Sequence, residues 1–252
     1  MSFWKKINMR WTQEELATFK PSFRVIYLLF PLVVYFFVGD AVEILLWALL
    51  NIVLSNADAQ MVENAVKYSE SIKGMIYGVG LLASLAILST SGRNEIAWKD
   101  DKEIKSKINF INVIMLIALG LASSIGLNYI FNFIGLTSAS RVYDEISKAQ
   151  YSVNIFTGLI LYGICSPIIE EVIFRGIIYN RLKRMFPLTV SIITSAILFG
   201  MFHGNIVQAI YGFIMGCLIA WCYEKYDSFI APVVIHVTAN VGVYLLTYYV
   251  WK

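Results

Sequence analysis

His203 and His236 are the only two histidines in the chain, and each lies within a strongly apolar stretch. A double carboxylate, Glu170-Glu171, lies in another such stretch, with Arg175 close behind it. Ionisable side chains are costly in lipid, so their placement at membrane depth points first to function. A carboxylate buried beside a cation can be poised as a general base, and a neighbouring histidine can hold a water and help deprotonate it. A second histidine and an asparagine amide, here His236 and Asn240, can donate hydrogen bonds to a tetrahedral oxyanion. These parts suit hydrolysis of a peptide bond by activated water. Glu170, His203 and His236 also make a possible zinc set, two imidazoles and a carboxylate with the fourth position open. On the residues alone the cofactor is unknown: none, or one divalent metal such as zinc.

Spacing separates the roles. Glu171 and Arg175 are an i, i+4 pair, acid before base, which neutralises itself on one helical face. Glu170 is turned by about 100° from Glu171 and is free for another partner. His236 and Asn240 are four apart and share a face. Glu170 precedes Met185 by fifteen residues and His203 follows it by eighteen. In an antiparallel hairpin both then stand roughly 20 to 27 Å from the turn. His236 and Asn240 rise about 14 to 20 Å from the turn near Asp227, so all four side chains can share one layer.

The elements that must position these residues follow from composition. Of 252 residues 58% are hydrophobic and 15% charged, and the mean hydropathy is +0.68. Such a chain is an integral membrane protein. No alternating strands of about ten residues indicate a barrel, so the fold class is all-α, a polytopic helical bundle with a polar site buried inside it. A net charge of +3 gives no case for nucleic acid, and the partners expected are the lipid bilayer and a membrane-associated peptide or protein. Oligomeric state is open. Cys165, Cys217 and Cys222 form no Cys-x-x-Cys motif and read as small apolar side chains.

About seven spans are expected: Phe23 to Leu54 as one long tilted or kinked helix, then Gly74 to Thr90, Ile108 to Leu136, Ser152 to Arg184, Leu188 to His203, Ile206 to Tyr223 and Phe229 to Tyr249. Asp40 and Glu43, three apart in the first, either line the bundle interior or end a shorter span. Residues 1-22 read as an interfacial amphipathic segment without a secretory signal, Thr12 and Glu15 being spaced as a capping box. Residues 23-150 carry N-terminal spans and loops, and 151-252 the catalytic helices, within a single integral domain. Ser55 to Lys73 and the stretch holding Arg141, Asp144, Glu145 and Lys148 read as polar loops. Basic residues fall near the N-terminus, in the stretch with Arg93, Lys99, Lys102, Lys105 and Lys107, and at Arg181, Lys183 and Arg184. All lie on one side in this count, so the N-terminus is expected in the cytoplasm and the C-terminus outside. Gly176, Gly200, Gly204, Gly212 and Gly216 read as close helix contacts, and Tyr244, Tyr248, Tyr249 and Trp251 as an interfacial belt.

Three stretches, Glu170-Glu171-Val-Ile-Phe-Arg175, Phe199-Gly-Met-Phe-His203 and His236-Val-Thr-Ala-Asn240, resemble the three motifs of the CAAX prenyl protease and bacteriocin-processing family, also called the Abi family, of intramembrane proteases. They occur in the family order and use both histidines; the first 150 residues resemble the family only as hydrophobic helices. The resemblance implies that Glu170 acts on water with His203 and that His236 with Asn240 stabilises the oxyanion. It also implies that Glu171 and Arg175 support the site and that Phe199 packs beside it. The family is commonly labelled metalloprotease, and a metal-free glutamate mechanism has also been proposed for it. The compact chain looks more like the bacterial branch, acting on peptide precursors or in bacteriocin immunity in the cell membrane. Two readings of other classes compete: a noncatalytic membrane scaffold or immunity protein, and a transporter relaying protons through Glu170 and the histidines.

Overall fold

The computed structural model describes residues 2–100 and 108–250, with side chains described over 2–96 and 108–249. Lys102, Lys105, Lys107 and Trp251 lie outside the described residues, as does the side chain of Lys99. Among the described residues every regular element is a helix. The N-terminal segment forms α1 (Phe3–Asn8) and α2 (Gln13–Thr18). Then come α3 (Pro21–Ser55), α4 (Ala59–Lys67), α5 (Ser69–Asp100), α6 (Phe110–Phe133) and α7 (Arg141–Ser152). The last four are α8 (Ile155–Lys183), α9 (Leu188–Met201), α10 (Ile206–Tyr226) and α11 (Ile230–Val250).

Six of these helices are long and apolar enough to cross a membrane; α9, with 14 residues, is the seventh apolar helix but falls short. At 1.5 Å per residue it covers about 21 Å, against a hydrocarbon core of about 30 Å. The polytopic helical class expected from composition holds, while the fifth expected span is abbreviated. It ends at Met201 instead of His203 because Gly204 takes a left-handed backbone, φ 69°, and Asn205 opens the next helix by accepting from the Gln208 amide at 2.9 Å. Gly204 is therefore a turn glycine with open space around it, not the close helix contact expected of it.

Two expected loops are helical. Asp58 caps α4 by accepting from the Met61 amide at 2.7 Å, and Ser140 caps α7 through the Tyr143 amide at 3.3 Å. Neither short helix has a buried residue; both are amphipathic, with an apolar stripe at helical spacing in stretches too polar overall to read as spans. The expected capping box of α2 is present, with the Thr12 amide donating to Glu15 Oε2 at 2.8 Å and the Glu15 amide to Thr12 Oγ at 3.2 Å. The segment packs inward: Ile7 and Leu16 are buried with Tyr27 of α3.

Close helix crossings set the bundle. α9 lies against α10, α6 against α11 and α3 against α5. A Cβ on Gly200 would stand 2.4 Å from the Ala209 carbonyl oxygen, and one on Gly216 3.0 Å from Ala196 Cα. Only glycine lets these backbones approach so closely. Lys183 pairs with Glu224 at 2.6 Å, so α10 returns to the end of the bundle where α8 finishes, and α11 departs from there. Tyr244, expected in an interfacial belt, is instead buried, its ring 5.0 Å from Tyr151 and its hydroxyl filling the space above Gly158.

Candidate active site

The middle of α8 departs from regular α geometry. Residues Leu159–Cys165 and Val172–Tyr179 are widened by i→i+5 hydrogen bonding, and the α-helical turn between them, Ser166–Glu171, carries both glutamates. Such widened turns change the direction of every later side chain and are frequent at functional positions.

The i, i+4 pair forms as its spacing predicts. Arg175 Nη1 donates to Glu171 Oε1 at 2.8 Å, and both side chains are fully buried. Arg175 Nη2 donates to the Gly216 carbonyl at 3.1 Å, fastening α8 to α10. Its guanidinium also lies 4.5 Å from the centre of the Phe199 ring. Glu171 accepts a second bond from His236 Nδ1 at 2.6 Å. A carboxylate only accepts, so this nitrogen carries the proton and Nε2 is turned away from Glu171. Nε2 of His236 stands 3.7 Å from Glu170 Oε2. Glu170, turned away from its neighbour as the helical offset requires, accepts from Ser166 Oγ through its other oxygen, Oε1, at 2.7 Å.

His203 is held by the turn after α9. Its Nδ1 donates to the Phe199 carbonyl at 2.9 Å, leaving Nε2 as the acceptor of the neutral ring. Phe199 lies between the imidazoles, 5.1 Å from His203 and 5.4 Å from His236, edge to face with both. It is packing, and packing of a specific kind, since it fixes both ring planes.

Glu170, Phe199, His203, His236 and Asn240 all border one cavity of about 400 Å³. Glu171 and Arg175 stand behind it and support His236. Asp40 and Glu43 of α3 border the same cavity, yet both remain exposed and so are not enclosed in the bundle interior. Glu170 and His236 are more than nine-tenths buried as residues. Sequence reasoning missed Ser166, Tyr77 and Tyr35, which also border the cavity. The i−4 spacing of Ser166 from Glu170 is a readable signal; the tyrosines come from α3 and α5 and leave none. Among the described residues no three His, Cys, Asp or Glu side chains gather closely enough to hold a metal ion.

Fold and site together define a polytopic helical membrane protein with an acid, imidazole and amide-lined cavity inside its bundle. Residues 152–242, which contain all three motifs, match the family model described as Type II CAAX prenyl endopeptidase Rce1-like. This is a family of membrane proteases, and the resemblance drawn from the motifs therefore holds over the helices that carry them. Comparison with curated proteins and with solved structures gave no match.

Proposed function

We propose that this protein is an intramembrane endopeptidase that hydrolyses a peptide bond by water activated at Glu170 and His203. The observation that supports it is the arrangement of Glu170, His203, His236 and Asn240 around one cavity, with Glu171 and Arg175 bracing His236 from behind. Glu170 Oε2 takes a proton from a water held by His203 Nε2, and the resulting hydroxide adds to the scissile carbonyl carbon. The oxyanion accepts hydrogen bonds from the Asn240 amide and from protonated Nε2 of His236. Glu170 then passes its proton to the departing nitrogen as the carbon–nitrogen bond breaks, giving an acid and an amine. Arg175, neutralising Glu171, keeps the second carboxylate available to hold His236 in place.

The substrate in this reading is a membrane-associated peptide or protein, with peptide maturation or bacteriocin immunity as the setting and a bacterial cell membrane as the location. The N-terminus faces the cytoplasm. Residues 151-252 supply the catalytic groups, residues 23-150 the remaining cavity wall, and residues 1-22 an interfacial segment resting on the bundle. Purified protein in detergent, given candidate precursor peptides, tests the reading. Wild type should cleave, and Glu170→Ala and His203→Ala should not. Activity that survives a chelator supports the metal-free route; activity that a chelator removes and zinc restores assigns the water to a metal. Equal cleavage by wild type and both variants contradicts the site.

A further inference from the structure

A carboxylate that serves as a base must keep one oxygen turned toward its water, yet a glutamate side chain has three rotatable bonds with which to lose that aim. Glu170 is restrained at one oxygen. Ser166 Oγ donates to Oε1 at 2.7 Å, and both residues are buried. The direction of the bonds beyond this one is then determined. Because a carboxylate only accepts, the single Ser166 proton is committed to Glu170, and Ser166 oxygen can only accept from Tyr77, whose hydroxyl lies 3.4 Å away. Tyr77 oxygen in turn accepts from Tyr35, 3.2 Å away. The first link is short and strong and the outer two are looser, as their distances require.

We infer that Ser166 is a positioning residue for Glu170, reserving Oε1 as a structural acceptor and leaving Oε2 for the reacting water, with Tyr77 and Tyr35 as its successive supports. The inference rests on Glu170 being the base. It explains why the unrestrained oxygen is the one that faces His236 Nε2. It also gives α3 and α5 a part in the chemistry. Tyr35 stands on α3 and Tyr77 on α5, and the two helices are joined beside them by Ser84 Oγ donating to the Tyr35 carbonyl at 3.3 Å. All four members of the chain border the cavity. The walls that a bound peptide would touch are thereby connected to the oxygen that does not react.

The test uses full-length protein in detergent and a peptide that wild type cleaves, with Glu170→Gln measured beside the other variants. Ser166→Ala should lower kcat roughly 10- to 100-fold, the size expected for a lost hydrogen bond to a charged group, with KM within about twofold. Ser166→Thr, which keeps the hydroxyl, should recover most of the loss. Tyr77→Phe should lower kcat by less, about three- to tenfold by the weaker geometry of its bond. Adding Tyr77→Phe to Ser166→Ala should cost nothing further, because the chain is already cut. Ser166→Ala at wild-type kcat, a rise in KM alone, or Thr as poor as Ala would overturn the assignment. If Ser166→Ala does not fold, Ser166→Thr and Tyr77→Phe decide: wild-type kcat in both Tyr77→Phe and Tyr35→Phe with a dead Ser166→Thr overturns it. A Glu170→Gln variant as active as wild type defeats the underlying reading instead, and this one with it.

Discussion

In the proposed reading the neighbouring glutamates have different duties, and substitution should separate them. Glu171 is fully buried with Arg175 and His236 on the same oxygen, so Glu171→Gln leaves a guanidinium buried without its counter-charge. Breaking such a pair costs about 3–5 kcal/mol. Thermal unfolding in detergent should fall sharply for Glu171→Gln. Glu170→Gln, which leaves the Arg175–Glu171 pair intact and can still accept from Ser166, should lose far less stability than Glu171→Gln while losing activity. Two glutamine variants with the same unfolding temperature would contradict the division. Much of this is legible in the sequence. The i, i+4 pair and the helical offset of Glu170 are matters of spacing alone. The contact from His236 to Glu171 is not legible there, because it joins residues 65 apart and depends on how α11 meets α8. Ser166 sits a single turn before Glu170 and escapes notice because a serine in an apolar run usually bonds its own helix.

Helix crossings respond to glycine replacement in a position-specific way. A methyl group on Gly200 would meet the Ala209 carbonyl oxygen at 2.4 Å, so Gly200→Ala must push α9 away from α10 and carry Phe199 and His203 with it. We expect strongly reduced folding yield and no cleavage. Gly126→Ala on α6 has open space within 4 Å and should be neutral or stabilising by about 0.5–1 kcal/mol, the usual gain of alanine over glycine inside a helix. Equal unfolding temperatures for the two variants would refute the tight crossing. At this scale the apolar runs announce all seven apolar helices, and Gly212 and Gly216 announce a close helix contact whose partner, α9, only the structure identifies. What they withhold has physical reasons. α4 and α7 do carry an apolar stripe behind their caps, Asp58 and Ser140, but in stretches of low mean hydropathy that a search for spans passes over. The widened turns of α8 leave no periodic mark, since their effect is only to rotate the residues after them.

Over the whole molecule, one end of the bundle is fastened by a buried ion cluster remote from the cavity lining. Glu95 of α5 accepts from Arg181 Nε at 3.1 Å, from Arg184 at 2.8 Å and from the Tyr27 hydroxyl at 2.9 Å. Arg181 also donates to the carbonyls of Ile7 and Tyr27. Among the described residues the Tyr27 hydroxyl has two acceptors within reach, Glu95 and the Met9 carbonyl. The N-terminal segment, α3, α5 and α8 thus share one set of charges. This agrees with the expectation that the basic stretches lie together, as far as the described residues reach. Glu95→Gln should loosen all four, lowering the unfolding temperature and exposing the stretch before Pro21 to limited proteolysis in detergent. A variant as protected as wild type would show that apolar packing of Ile7, Trp11 and Leu16 suffices.

The central claim is that this bundle cuts peptide bonds at membrane depth using Glu170. Its most direct test is to produce wild type and Glu170→Gln at matched levels in cells and to compare the membrane-associated peptides by mass spectrometry. The claim predicts truncated peptides with new termini that appear with wild type and are absent with Glu170→Gln, each then cleaved at the same bond by the purified enzyme. Identical peptide profiles from the two proteins, both folded and in the membrane, would contradict it.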